Sequence, residues 1–288
     1  MDIKKCINNI FAIKRNGTEV LLVIDDFFFE ISKPLVLRVC SHDDYYYFHD
    51  FGAATMYLKR RLGNNGNNWQ QYAYCVCDRK QGTFQIEDDK ACGRILTCDK
   101  LHLVRALLDY LQDLVLVCYA DIICTEKCLA NSIEYTIDEK LMEAFDAECD
   151  IDMTCGDLKT AFDETIKVTK ENDESYIIFM GLKYLPNDGF SKWCINISQI
   201  DNAMHVSIYD WANGWDDGSV LENYLSRHNT CESWQLDILK SYNAEIIKSR
   251  QYEQIYTECD CTCEKDLQIA LIRYFIITVL LACGDEFR

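Results

Sequence analysis

The chain has 288 residues, of which 49% are apolar, which is enough for two folded cores and argues against disorder. Its net charge of −18, from 29 basic and 47 acidic residues, argues against direct binding to a nucleic-acid backbone, which requires clustered Lys and Arg. No apolar run has the length that a membrane-spanning helix needs, and the N-terminus lacks the apolar stretch of a signal peptide. We therefore expect a cytoplasmic protein that binds neither membrane nor nucleic acid directly.

In chain order, the first part of the sequence predicts a helix, three strands, a helix, a hairpin and a long helix. Apolar residues at helical spacing mark the helices, and runs of β-branched and aromatic residues mark the strands. The predicted ranges are a helix over 2–12, strands over 20–31, 35–40 and 45–50, a helix over 53–62, hairpin strands over 69–78 and 82–87, and a helix from Cys98 or Asp99 to Cys118.

The second part of the sequence predicts the same order of elements. The predicted ranges are a helix over 157–170, strands over 176–184, 192–198 and 204–210, a helix around 220–227, strands over 234–256, and a last helix from Glu264. Without a gap, Leu103, Ala106, Leu107 and Tyr110 align with Leu267, Ala270, Leu271 and Tyr274. A repeat of this length indicates a duplicated domain rather than a solenoid.

The repeat predicts an α+β fold of two tandem related units. Each unit is expected to contain a helix, three strands, a helix, two to three strands and a helix. Residues 1–121 form the first unit, residues 157–288 form the second, and residues 122–156 form a connecting helical insert. Because one open sheet with helices on a single face leaves apolar surface exposed, we expect the units to pack as a pseudo-dimer.

The segment from Leu35 to Gly52 resembles a domain of unknown function that is found in bacterial and phage proteins. That family has an apolar strand, an acidic turn, a second strand and then Asp-Asp-Gly before a helix. Here Phe51 replaces the second Asp, and the second copy has Asp210 but lacks the Gly. The element order is also similar to the secretion-chaperone fold, whose members are small, acidic and protein-binding. These resemblances imply protein binding and no known chemistry.

Aromatic residues and a loop rich in Trp and Asp are the best candidates for a binding surface. Successive residues of the predicted strand over 45–50 point to opposite faces, so one set of its aromatic rings lies away from the core unless helices cover both faces. Exposed Tyr and Trp are enriched at binding hot spots. The candidate partner-binding residues are Tyr45, Tyr47, Phe51, Trp211, Trp215, Asp216 and Asp217.

Catalytic residues are not indicated by the repeat. Asp50 and Asp210 occupy the same place before a predicted helix, which favours helix capping over catalysis. No His, Lys or second acid recurs beside them in both copies, so a general acid/base pair is unsupported. We therefore expect a protein without enzymatic activity.

The 17 cysteines favour free thiols rather than disulfides, since their number is odd and no secretion signal precedes them. One group could hold a structural metal ion, although its spacing is looser than that of usual zinc sites and unrelated buried cysteines are the default interpretation. This group flanks the insert and consists of Cys124, Cys128, Cys149 and Cys155. We expect no cofactor.

These observations lead to the expectation of a protein-binding protein, monomeric or homodimeric, whose partner has a basic surface. It would act as an inhibitor, an immunity protein or a chaperone, and the phage resemblance suggests an anti-defence inhibitor. Two alternatives remain open. One is an acidic mimic of nucleic acid, and the other is a hydrolase or nuclease that uses Asp25, Asp26 and Asp50.

Overall fold

The protein folds into α-helices and two antiparallel β-sheets, which confirms the α+β class. Within the described chain, no helix is both long enough and apolar enough to cross a membrane. The chain divides into two compact units, the first with residues 11–162 and the second with residues 2–10 and 163–283. The computed structural model describes residues 2–16, 19–28, 33–42, 45–79, 84–96, 99–131, 155–183, 190–200, 203–210, 233–242, 244–248 and 253–284.

The first unit contains one six-stranded sheet with the strand order β1-β2-β3-β4-β6-β5, so that β1 and β5 are its edges. The chain begins with α1 (Ile3–Asn8), which belongs to the second unit. The elements that follow are β1 (Phe11–Asn16), β2 (Glu19–Phe28), β3 (Lys33–His42), β4 (Tyr45–His49), α2 (Ala53–Leu62), a 3-10 helix (Gly63–Asn68), α3 (Trp69–Arg79), β5 (Phe84–Glu87), β6 (Lys90–Leu96), α4 (Lys100–Cys118), α5 (Ala120–Ile123), α6 (Glu126–Asn131) and α7 (Cys155–Thr165).

The second unit contains a six-stranded sheet with the equivalent order, β7-β8-β9-β10-β12-β11, so that β7 and β11 are its edges. Its elements are β7 (Lys167–Lys170), β8 (Ser175–Lys183), β9 (Phe190–Ile200), β10 (Ala203–Asp210), α8 (Ser233–Ser241), β11 (Ala244–Lys248), β12 (Glu253–Cys261) and α9 (Glu264–Cys283). Helix α9 contacts α1 and α8 within this unit.

The two sheets also share an irregularity. The pairing of β2 with β3 shifts register between Ile24 and Phe28, and the pairing of β8 with β9 shifts between Phe179 and Lys183, at the corresponding place. Because a bulge is a specific feature of a fold, its repetition supports the duplication more strongly than strand order alone. The packing of the copies as a pseudo-dimer stays a prediction.

Trp69 and Trp234 lie at the start of helical segments, so the strand predicted over 69–78 and the first part of the strands predicted over 234–256 are wrong. Strands β5, β11 and β12 lie where strands were predicted. In α3 the buried residues Trp69, Ala73 and Val76 recur at intervals of three to four, and in α8 Trp234 and Ile238 do the same. This period is that of a helix with one buried face. The prediction followed the aromatic and β-branched composition of these segments instead of their spacing.

In the described part of the chain, each unit has four strands before its next helix, and not the predicted three. The predicted helix over 2–12 ends at Asn8, and β1 follows at Phe11. The predicted helix over 157–170 ends at Thr165, and β7 follows. Asn has low helix propensity, and the β-branched pair Val168 and Thr169 favours a strand.

The core of the first unit lies where α4 packs on the sheet. Phe48 of β4 and Phe84 of β5 contact the ring of Tyr110, with centroids 5.1 and 5.6 Å away. Tyr110 also donates its hydroxyl to the carbonyl oxygen of Ala91 at 2.5 Å. Gly93 makes this packing possible, because a Cβ atom there would lie 2.6 Å from the ring of Phe48.

Candidate functional site

Two exposed apolar side chains lie near the start of α2. The exposed fraction is 51% for Phe51, in the turn before the helix, and 53% for Met56, within it. Large apolar side chains are scattered singly on most surfaces, so exposure alone does not mark a site. The backbone around Phe51 is unusual, and its supports are buried.

Asp50 is a fully buried carboxylate that organises this turn. Its Oδ1 accepts the backbone N–H groups of Gly52 at 2.8 Å and Ala91 at 2.9 Å, and its Oδ2 accepts that of Ala54 at 2.7 Å. Burial raises the pKa of Asp50, while these backbone donors act in the opposite direction. Asp50 therefore accepts backbone N–H groups at the start of α2 and ties this turn to the start of β6, as expected of a residue that caps a helix or closes a turn. The residues after Asp210, for which the same role is predicted, lie outside the described residues.

His49 is buried beside Asp50 and supports Phe51. Its Nδ1 accepts the backbone N–H of Phe51 at 3.1 Å, and its ring contacts the Phe51 ring edge-on at a centroid distance of 4.5 Å. Burial lowers the pKa of His49 to about 4, and the positive charges of Arg38 and Lys90 lower it further. The imidazole is therefore neutral near pH 7, with its proton on Nε2 and Nδ1 free to accept.

Phe51 has a left-handed backbone conformation, with φ of 55°, and Gly52 follows with φ of 81°. A bulky residue with positive φ is a genuine outlier, and such strain clusters at functional sites. Gly52 suits its position, since a Cβ atom there would come within 3.0 Å of the carbonyl oxygen of Asp89. The fold thus holds an exposed aromatic ring in a strained position.

An acidic turn flanks this ring. Glu87 pairs with Lys90, and the two residues between them, Asp88 and Asp89, have φ of 42° and 66°, as in a type I′ hairpin turn. The hydroxyl of Thr55 in α2 donates to the carbonyl oxygen of Asp89. Both aspartates are exposed, so this turn presents negative charge beside the start of α2.

Lys59 of α2 contributes a positive charge to the same region. Its Nζ lies 2.6 Å from Asp89 Oδ2 and 4.2 Å from the centre of the Trp69 ring. Together Phe51, Met56, Asp88, Asp89 and Lys59 form what we call the Phe51 surface. It groups two exposed apolar side chains with charged residues around the start of α2.

Tyr45 and Tyr47 of β4, also predicted to bind a partner, are less exposed than Phe51. Tyr47 is only 5% exposed, so its predicted place on a binding surface is corrected. It pairs across the sheet with Cys40 and Arg94, and it is buried although its side chain does not share a face with Phe48. Tyr45 is half-buried, 6.0 Å from the Tyr47 ring, with the Arg94 guanidinium 6.0 Å above its ring.

Four of the predicted partner-binding residues lie outside the described residues. They are Trp211, Trp215, Asp216 and Asp217. The structure therefore tests the predicted surface only at Tyr45, Tyr47 and Phe51, and of these Phe51 is exposed.

The predicted metal site at the insert is not assembled in the described chain. Within it, no group of three or more His, Cys, Asp or Glu could hold a metal ion. Cys124 and Cys128 lie near Cys75 of α3, a residue that the sequence analysis did not pair with them. Cys155 begins α7, and Cys149 lies outside the described residues.

The acids expected to act in a hydrolase, Asp25, Asp26 and Asp50, differ in their structural environments. Asp25 is exposed in β2, and the adjacent Asp26 has φ of 57° at the register shift. The oxygens of Asp50 accept backbone N–H groups, as a helix cap does. These contacts assign Asp50 a structural role.

Sequence reasoning missed Met56, Lys59 and the acidic turn as parts of the Phe51 surface, and it missed His49 as the buried support of Phe51. The turn could have been found, because Asp88 and Asp89 stand between two apolar runs as a two-residue loop. The role of His49 carries no sequence signal, since it depends on a hydrogen bond to a neighbouring backbone and on burial.

Comparison with protein-family models, with curated proteins and with solved structures finds no match to this chain. The resemblance to a domain of unknown function therefore stays a prediction, and function has to be argued from the site.

Proposed function

We propose that this is a protein-binding protein that docks its partner on the Phe51 surface. One observation carries the proposal: a half-exposed Phe51 ring sits on a strained left-handed backbone that buried His49 and Asp50 maintain. Strain of about 1–2 kcal/mol persists only where the surroundings impose it. A rigid exposed aromatic ring also loses little conformational entropy on binding.

The chemistry of the surface indicates the kind of partner. Phe51 and Met56 suit an apolar pocket, and Met adapts its shape to irregular surfaces. Asp88 and Asp89 suit positive charges around that pocket. The net charge of −18 would speed association with a basic protein at low salt. Inhibitor, immunity protein and chaperone, each acting in the cytoplasm, are forms that this proposal includes.

The proposal can be tested by site-specific photocrosslinking in a lysate of the source organism. A photoreactive amino acid at Met56 is expected to give one discrete adduct, which mass spectrometry identifies. Phe51→Ala in the same protein should weaken binding of that adduct partner roughly 30-fold, because truncating a hot-spot aromatic residue costs about 2 kcal/mol or more. Binding is then measured with the purified partner by calorimetry.

Matched controls come from exposed apolar residues elsewhere. Leu96→Ala in β6 removes a side chain that is 61% exposed, and it should leave binding unchanged. The same photoreactive group at Leu236 of α8 should give no adduct with that partner. Equal adducts from both positions, or binding insensitive to Phe51→Ala, would contradict the proposal.

A further inference from the structure

Three cysteine thiols from separate elements converge in the first unit. Cys75 lies in α3, Cys124 at the C-terminal end of α5, and Cys128 in α6. The sulfur atoms of Cys75 and Cys128 are 2.7 Å apart, although the residues are 53 positions apart in sequence. Cys124 also shares a hydrogen bond with Cys75. The fold therefore assembles this thiol cluster.

The three thiols differ in their access to solvent. Cys75 and Cys124 are buried, whereas Cys128 is partly exposed. Cys128 is therefore the thiol of the three that is most accessible to a small molecule in solution. Reactive cysteines occupy this kind of partly exposed position, while fully enclosed ones are inert.

Cys124 is the thiol of the cluster that stays protonated. The bond to Cys75, together with burial, raises the pKa of Cys124. Cys124 therefore keeps its proton near neutral pH, which leaves Cys75 and Cys128, whose sulfur atoms are 2.7 Å apart, as the two thiols that can pair.

A second close pair, in the other unit, provides a contrast. Cys259 and Cys261 of β12 have sulfur atoms 3.5 Å apart. They are two residues apart on one strand, which separates their Cα atoms by about 6.8 Å, the upper limit for disulfides. Cys75 and Cys128 lie on different helices and face each other, so they avoid this constraint.

We propose that Cys75 and Cys128 are a redox-active dithiol pair, which a low-molecular-weight disulfide such as oxidised glutathione converts into a protein disulfide. A shift of less than about 1 Å brings their sulfur atoms to the bonding distance of about 2.05 Å. The site is thus a position of reversible oxidative modification, distinct from the Phe51 surface in residues and chemistry.

The reaction takes place in two exchange steps. The Cys128 thiolate attacks one sulfur of oxidised glutathione, forms a mixed disulfide and releases one glutathione, which takes up the proton of Cys128. The Cys75 thiolate then attacks the Cys128 sulfur and releases the second glutathione, which takes up the proton of Cys75. Two cysteine thiols lose two electrons and two protons, and one glutathione disulfide gains them.

The resulting disulfide has a measurable effect on stability. It links α3 to α6, the last described element before residue 132, and closes a loop between residues 53 positions apart. Cross-links over loops of this size restrict the unfolded chain. We expect the oxidised protein to have a Tm higher by roughly 5–10 °C.

The test is to incubate the folded protein with oxidised glutathione, alkylate the remaining thiols and map the peptides by mass spectrometry. We expect a linked peptide pair containing Cys75 and Cys128, which disappears on reduction together with the increase in Tm. Cys259 and Cys261 should give no linked peptide pair. Exposed Cys263 should carry glutathione, which shows that the oxidant was active.

Two variants separate the proposal from general oxidation. Cys128→Ser should lose both the linked peptide and the increase in Tm, whereas Cys263→Ser should keep both. Should Cys128→Ser fail to fold, the wild-type map alone decides. Free thiols at Cys75 and Cys128 beside glutathionylated Cys263 would overturn the proposal.

Discussion

Phe48 and Phe51 are the same residue type three positions apart, and the fold uses them in opposite ways. Phe48 is buried in the core against Tyr110. Phe51 is half exposed, and its backbone has φ of 55°. Packing against the core therefore determines the position of Phe48 in its regular strand. The hydrogen bonds around the strained turn determine the position of Phe51.

The largest effect is expected from removing the buried ring. Phe48→Ala should lower the free energy of unfolding by about 3–5 kcal/mol, since it leaves a cavity beside Tyr110. Phe51→Ala should change it by less than about 1 kcal/mol. Urea denaturation followed by circular dichroism measures both. Similar losses in the two variants would abolish the contrast between core and surface.

The next effect concerns His49 and depends on pH. Its folded-state pKa of about 4 lies below the unfolded value of 6.5, so the folded protein resists protonation. The contribution of neutral His49 to the free energy of unfolding is fully present above about pH 6.5. It is lost as pH falls toward 4, and it amounts to about 3 kcal/mol. As pH falls over this range, the wild type should lose stability that the His49→Asn variant keeps. The Asn side chain can still accept the Phe51 N–H.

This pH dependence also bears on the exposed ring. A proton on Nδ1 removes the acceptor of the Phe51 N–H, so partner binding should weaken over the same pH range in wild type but not in His49→Asn. Denaturation and binding curves across that range measure the two effects. Parallel pH profiles for both proteins would show that His49 does not support Phe51.

A smaller loss is expected when the core around Phe48 is overfilled. Gly93→Ala places a methyl group 2.6 Å from the Phe48 ring and 2.8 Å from that of Tyr110, which should reduce stability by about 1–3 kcal/mol. Phe48→Leu in the same chain should recover part of this loss, because it frees space at the clash. A double-mutant cycle measures the coupling, and additive losses would place the clash elsewhere.

The smallest effect has the opposite sign. Phe51→Gly should raise the free energy of unfolding by up to about 1 kcal/mol, because Gly adopts positive φ without strain, although it adds entropy to the unfolded chain. The same variant should lose binding to the crosslinked partner. Higher stability with loss of binding is expected when strain at a functional site is relaxed. A decrease of more than about 1 kcal/mol in the free energy of unfolding would instead indicate that Phe51 belongs to the core.

Much of the fold could be predicted from the sequence, since α4 has a long amphipathic pattern, α9 a long apolar run and β4 a run of aromatic residues. The helix at Trp69 could not, because its aromatic and β-branched residues mimic a strand when spacing is ignored. Phe51 was found as a candidate because it follows an aromatic strand. Its supports were not, since burial of His49 and the approach of Asp89 to Gly52 arise only from tertiary contacts.

The edge strands β1 and β7 carry charges that disfavour pairing with a strand of another copy. Both contain two basic residues, Lys14 and Arg15 in one and Lys167 and Lys170 in the other, and all four are exposed. Positive charge on an edge strand resists the addition of a strand from another copy, the first step toward amyloid. A chain with 18 more acidic than basic residues thus has basic residues on two edge strands, where they disfavour fibril formation.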